Sequence, residues 1–271
     1  MARDYSDLLV EERKNYLWVC INRPDDRNSI NSRLMKELEL LLDTAEKTSA
    51  RAVVFTGFGD TYFIGGADGI EMMQLDQKGA LDFSARIQKV FNRMESSPLI
   101  LVSAINGLCF GGGFEFAMAC DLRVAGESSR IGLPEVKVGL IPGGGGTQRL
   151  PRLVGMGVAK EMILSGRLYK AHEALSMGLV NSVSPDNGLE EEVDIVLERI
   201  FRNPQYALSL AKKAVNSFQA ANLTKGLKSE AEAFSCCFQQ DYFAELMVKQ
   251  IREGVLKTTS PLPGRFGNER E

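Results

Sequence analysis

A chain of 271 residues, 44% hydrophobic and 25% charged, is too long for a disulfide-stapled miniprotein and too apolar for a disordered one. Its 32 basic and 35 acidic side chains leave a net charge of −3, with no run of five or more like charges. Nucleic acid and membrane surfaces therefore find no electrostatic support as partners. Five cysteines without a CxxC spacing, and His172 as the lone histidine, exclude most zinc sites. Met1 to Asp7 carries acids where a secretory or mitochondrial leader carries bases, and no apolar stretch reaches ~18 residues. With free thiols and no peroxisomal signal in the last residues, a cytoplasmic location is expected.

Along the chain, Tyr16 to Asn22 reads as a strand, and Ser32 to about Lys47, with Leu34, Leu38, Leu41 and Leu42 on one face, as an amphipathic helix. Ala52 to Thr56 is the next strand, 80–96 a helix, and Leu99 to Ile105 a fully buried strand closed by an Asn106-Gly107 turn. Phe114 to Cys120 reads as a short apolar helix, Leu122 to Ala125 as a strand, and 147–153 and 157–164 as helices. Strand and helix alternate, as in a layered α/β protein. After Val180 to Val183 the pattern is helical only, over 189–202, 205–221, 225–238 and 240–256. The division expected is a mixed body over 1–200 and a helical region over 201–271.

Glycine is distributed unevenly: none of the 26 precedes Gly57, and 19 lie between Gly57 and Gly157. Gly permits positive φ and close approach of the main chain to a ligand, so this third of the chain is where a site is expected. Three stretches stand out, Phe63 to Gly69, Asn106 to Phe116 and Leu133 to Arg149, and each pairs glycines with an acid. A triple glycine before a helix either presents unpaired N–H groups to an anion or developing oxyanion, or simply allows close helix–strand packing. Glu115 falls in the first turn of an apolar helix, where a buried carboxylate suits proton transfer and an exposed one merely complements the helix dipole. Glu135 follows 20 residues later, after one strand. Neither GxxxxGK[ST], a GxGxxG after a strand, nor GxSxG occurs. His172 reads as a solvated bystander, and Cys236-Cys237 as small apolar helix residues.

Together these stretches resemble the crotonase superfamily of enoyl-CoA hydratases and isomerases, from Ile21-Asn-Arg-Pro24 and Asn28 through about Val183. Gly65-Gly-Ala-Asp68 is similar to the segment around the family's first oxyanion donor, Gly111-Gly-Gly-Phe-Glu115 to the second, and Pro134 to Gly143 to the segment of its second acid. The resemblance implies a spiral of strand–strand–helix turns forming two sheets, followed by a helical oligomerisation region, assembled as a homotrimer or dimer of trimers. It also implies that the backbone N–H groups of Ala67 and Gly112 hold a thioester oxygen, and that Glu115 and Glu135 share one water. Gly66, Asp68, Arg27 and Gly143 are expected to line the acyl-CoA substrate. No metal and no separate cofactor is expected, coenzyme A being part of the substrate.

The chain departs from the family pattern at Ile64, where a small residue is usual, and at Gly69-Ile70, where Ile-Lys is usual. The lysine that helps hold the CoA phosphates is thus missing, leaving Arg27, Lys249, Arg252 or Lys257 for that role. Phe110 and Phe114 suggest an altered acyl pocket. Hydration of an enoyl-CoA is the leading expectation, because two acids suit activation of water. An isomerase, a cyclic oxo-acyl-CoA hydrolase or a hydratase-lyase of the same fold are its rivals, and an RNA-binding homologue without catalysis is a remote one, disfavoured by the charge. The apolar residues after about 205, among them Phe218, Phe234, Phe238, Tyr242, Phe243, Leu246 and Met247, are expected to pack on neighbouring subunits.

Overall fold

The computed structural model describes residues 5–216, 224, 231, 234, 235, 238 and 241–258. Among these, the strands form two sheets. In the larger, β1 (Leu8–Glu12), β2 (Tyr16–Ile21), β3 (Ala52–Gly57), β5 (Ile100–Ile105), β7 (Leu122–Gly126) and β10 (Ser182–Ser184) lie side by side in that order. All neighbours are parallel except the β1–β2 hairpin. The smaller sheet has the order β4 (Tyr62–Ile64), β6 (Leu108–Phe110), β8 (Arg130–Gly132), β9 (Leu168–Lys170), with only the last pair antiparallel.

The chain visits the two sheets alternately. α1 (Ser32–Ala45) precedes β3; β3 leads to β4, α2 (Gly69–Met72) and α3 (Gln77–Ser96); β5 leads to β6 and α4 (Gly112–Ala119); β7 leads to β8, α5 (Gly146–Val154) and α6 (Met156–Ser165). This is the strand–strand–helix spiral. After β9 come α7 (Ala171–Ser176), β10, α8 (Leu189–Phe201), helical residues 205–216 (α9) and α10 (Tyr242–Arg252).

The central strands of the large sheet are buried on both faces, which explains why they read as largely apolar runs. Side chains alternate across it: Leu17, Val19, Val53, Phe55 and Leu101 face the main core, while Tyr16, Trp18, Val54, Ile100 and Val102 face α8 through Leu189, Val193 and Leu197. Helix α4 is buried along its whole length, with Phe116 meeting Phe55 and Phe91 edge-on at 5.1 and 5.8 Å. It can lie so close because of Gly113, where a Cβ would fall 2.1 Å from the Ile64 carbonyl oxygen.

The C-terminal segment corrects one expectation. Phe234, Phe243, Met247 and Val248 are buried in the same apolar cluster as the spiral, so their burial needs no neighbouring subunit. Lys212 of α9 is also drawn into the body, donating to the Leu99 carbonyl at 2.8 Å and to Asp121 Oδ2 at 2.7 Å. Phe218, Cys236, Cys237, most of the helix expected over 225–238 and the Tyr242 side chain lie outside the described residues.

Candidate active site

Strands β4, β6 and β8 are parallel neighbours, so their C-terminal ends lie along one edge of the small sheet. Each end releases one of the three glycine–acid stretches: Gly65 to Asp68 after β4, Gly111 to Glu115 after β6, Leu133 to Glu135 after β8. Segments far apart in sequence are thereby brought to one place, in the way parallel sheets collect ligand-binding loops at their carboxyl edge. Between them lies a cavity of about 580 Å³. Gly66, Ala67, Asp68, Gly112, Glu115, Glu135, Gly143 and Arg27 all line it.

Ala67 sits in a parallel bridge with Ile30, in which Ile30 N–H donates to Gly66 O at 2.9 Å and Asp68 N–H to Ile30 O at 2.8 Å. Neighbouring peptide groups of extended chain point to opposite sides, so the Ala67 N–H is turned away from Ile30. There it meets the start of α4, where a Cβ on Gly112 would be 3.1 Å from Ala67 N. The turn into α4 requires the left-handed φ of +56° at Gly111. Gly112 then opens the helix, where N–H groups have no carbonyl partner in the preceding turn and the helix dipole is positive.

Glu115, one turn into α4, is 2% exposed. Its Oε1 accepts from Gly144 N–H at 2.8 Å, in the loop before α5, and from Gly146 N–H at 2.7 Å, at the first residue of α5. That loop is held from behind. The Gly143 carbonyl accepts from Ser84 Oγ at 2.6 Å and Gln88 Nε2 at 3.0 Å, and the Gly144 carbonyl from Arg149 Nη1 at 2.9 Å. Glu135 opens a short 3-10 turn, Glu135–Val138, which ends on Gly139 in the left-handed region. Its carboxylate oxygens are shielded from solvent, and a Cβ on Gly111 would lie 3.2 Å from Glu135 Oε1. The second acid therefore flanks the residue that introduces α4. Arg149, at the end of this glycine–acid stretch, is engaged with Glu95 at 2.8 Å and Asn92 at 2.8 Å.

Two of the expected ligand-contacting residues, while lining the cavity, also bind the protein itself. Asp68 caps α2, its Oδ1 accepting from Ile70 and Glu71 N–H at 3.0 and 3.1 Å, while Oδ2 accepts from Arg23 at 2.9 Å. Arg27 donates through Nη2 to the Val255 carbonyl at 2.6 Å, joining the early loop to the segment after α10. Lys137 and Lys257 also line the cavity, whereas Lys249 and Arg252 do not. Ile70 occupies the lining where the family's lysine is missing. Phe110 lines the cavity beside Gly66, but Phe114 is fully buried away from it. His172 is exposed on α7 and takes no part.

Sequence reasoning missed the cavity's apolar wall: Phe83 and Ile87 from α3, and Phe234, Phe243 and Met247 from the C-terminal segment. Residues of α3 carried only the helical period that any core-facing helix shows. Phe234 packs across Gly143, a contact 91 positions away along the chain that no local pattern announces.

The spiral of strand–strand–helix turns, with Glu115 and Glu135 brought to one cavity, defines a two-sheet α/β class whose site is built at the carboxyl edge of the small sheet. Comparison narrows it: the family description Enoyl-CoA hydratase/isomerase matches residues 11–253, and the chain belongs to that family, with the crotonase fold. The short-chain-enoyl-CoA hydratase of Clostridium acetobutylicum is 38% identical over 256 residues, covering 93% of this chain and 98% of that protein. The 2,3-dehydroadipyl-CoA hydratase of Escherichia coli is 36% identical over 231 residues, 85% of this chain and 89% of that protein. A solved enoyl-CoA hydratase from Bacillus anthracis superposes with a TM-score of 0.76 at 34% identity, covering 93% of this chain and 98% of its own.

Proposed function

We propose that the chain hydrates the double bond of a 2-enoyl-CoA thioester. The observation that carries this reading is the convergence of Glu115 and Glu135, from different elements, on the cavity that also holds the adjacent Ala67 and Gly112 N–H groups. In this mechanism the thioester oxygen accepts from those two N–H groups, and one water lies between the two carboxyl groups. One carboxylate takes a proton from water as its oxygen bonds to the β-carbon. The electron pair of the double bond moves toward the thioester oxygen, where the two donors stabilise the enolate. The other acid then delivers its proton to the α-carbon. Proton and oxygen balance, and no redox cofactor enters.

An isomerase only moves a proton between carbons and needs one base, so the second carboxylate favours hydration. Arg27, Lys137 and Lys257 supply the basic groups along the cavity for the CoA phosphates. The same reading makes the protein a homotrimer or dimer of trimers; the exposed Tyr206, Leu210 and Val215 of α9 support a surface for further copies. The free thiols of Cys20, Cys109 and Cys120 support a cytoplasmic site of action. The test is isotopic. In ¹⁸O-labelled water a crotonyl-CoA-type substrate should gain label at the β-position with loss of the conjugated-thioester absorbance. Double-bond migration or α-proton exchange without oxygen uptake, across linear, branched and cyclic substrates, would replace hydration by isomerisation on the same fold.

A further inference from the structure

The bridge that aims the Ala67 N–H is a single isolated pair, Ile30 with Ala67, held by two backbone hydrogen bonds. Behind it stands Arg23, whose side chain is only 6% exposed and which is not part of the cavity lining. Its Nη1 donates to the Ser29 carbonyl. Its Nη2 donates to Asp68 Oδ2 at 2.9 Å and Asp26 Oδ2 at 2.7 Å, and its Nε lies 3.7 Å from Asp7 Oδ1. Ser29 immediately precedes Ile30, and Asp68 immediately follows Ala67. One planar ion therefore grips both sides of the Ile30–Ala67 bridge at once.

The arrangement is costly, because a guanidinium has been taken out of water and surrounded by three carboxylates. It also has a geometric specificity that a point charge lacks. The rigid fork presents donors in two directions, one for a backbone carbonyl and one for a carboxylate, and lysine cannot make both. Asp68 transmits the grip. While Oδ2 receives Arg23, Oδ1 accepts from the N–H groups of Ile70 and Glu71, so the residue after Ala67 is locked to both the ion and the first turn of α2.

We propose that Arg23 is a positioning residue for the reaction: acting through Ser29 and Asp68, it fixes the direction in which Ala67 presents its N–H to the thioester oxygen. The proposal rests on the reading of Ala67 as an oxyanion donor. Arg23 touches no substrate, and its effect is on transition-state stabilisation rather than on binding.

Two variants test it. Arg23→Lys keeps the charge and loses the fork. Asp68→Asn keeps an oxygen for the Ile70 and Glu71 N–H groups but turns the Arg23 acceptor into a donor, cutting the link with the cap intact. Both should lower kcat about 10- to 10²-fold, as expected when an oxyanion donor is misaligned, with KM changed by less than about threefold. The decisive readout is the carbonyl stretch of bound butyryl-CoA, which cannot be hydrated. Wild type should shift it to lower frequency than in solution, and both variants should move it back toward the solution value. If folded Arg23→Lys or Asp68→Asn retains the wild-type kcat and carbonyl shift, Arg23 is merely structural and the proposal is overturned, whatever happens to the melting temperature. Absence of any shift in the wild type would overturn the Ala67 reading itself, and this proposal with it.

Discussion

The two walls of the cavity are built by different physics. On one side the loops after β4, β6 and β8, with the Gly143–Gly146 segment, offer backbone N–H groups and two carboxylates, fixed from behind by the buried ions Arg23 and Arg149. On the other side Phe83, Ile87, Phe234, Phe243 and Met247 offer only apolar surface. Hydrogen-bond strength falls steeply with angle and distance, whereas dispersion contacts are individually about 0.1–0.2 kcal/mol and tolerate small shifts. The polar wall thus demands positional accuracy and spends buried charge to obtain it; the apolar wall demands only shape. Damage to the first should fall on kcat, and damage to the second on the choice of substrate.

The largest effect should come from the acids. Glu115→Gln and Glu135→Gln are each expected to lower kcat by at least ~10²-fold, the usual size of a positioned acid–base contribution, while CoA binding measured by calorimetry stays largely intact. A full-rate variant at either position would remove that residue from the chemistry. Next is Gly144→Ala. Gly144 is not among the glycines with left-handed φ, so alanine can adopt its backbone, but the new Cβ would lie 2.7 Å from Glu115 Oε2 and 2.9 Å from Ile87 Cγ2. Glu115 must give way, and kcat should fall by about tenfold or more with modest loss of stability.

How much of this was legible in the sequence follows the same division. The strands β2, β3, β5 and β7, five or six residues long and mostly apolar, were readable because burial on both faces leaves a nearly unbroken run. The small sheet was not: β4, β6, β8 and β9 are three residues each, too short for any period, and the first three abut or contain glycines that read as loop. β1 escaped because Leu8–Glu12 is an edge strand with mostly exposed side chains. For the polar wall, glycine clustering and the two acids pointed to the right segments, since backbone-built sites need glycine wherever main chain approaches main chain. Their supports did not show. Arg23 stands out only within the Ile21-Asn-Arg-Pro24 resemblance, and nothing around Arg149 in the sequence announces that it holds the Gly144 carbonyl.

That carbonyl gives the third prediction. Arg149 is 4% exposed and joins Glu95, Asn92 and the Gly144 carbonyl, one step behind the N–H groups that orient Glu115. Arg149→Met keeps much of the volume and removes every donor. Because Glu95 remains partly solvated, its cost in urea unfolding should be at the lower end of that for broken buried pairs, about 3 kcal/mol. Among molecules that stay folded, kcat should drop about tenfold, less than for the acids, because the catalytic groups are present but less firmly aimed. Unchanged kcat in the folded fraction would show that the loop holds Glu115 without this ion.

The smallest effect on rate, and the sharpest test of the contrast, belongs to Phe234. Its ring packs over Gly143 so closely that a Cβ there would be 2.7 Å away, and it stands edge-on to Phe238 at 5.3 Å, which in turn meets Phe243 at 5.7 Å. On the proposed reading, with the thioester at Ala67 and Gly112 and the β-carbon beside the two acids, an acyl chain that runs toward the apolar wall meets Phe234 and Phe243. Phe234→Ala would vacate one ring from the wall and leave the donors and acids in place. For a four-carbon enoyl-CoA, kcat/KM should fall only about three- to tenfold, the worth of lost apolar contact and not of lost chemistry. For chains of eight carbons or more it should hold steady or rise, because the vacated volume admits the added methylenes. A series of 2-enoyl-CoAs of increasing length, measured on both proteins, reads this as a crossing of the two profiles. Parallel profiles with a uniform loss in kcat would mean that Phe234 acts through Gly143 on the loop that orients Glu115, so that the apolar wall would also be part of the alignment.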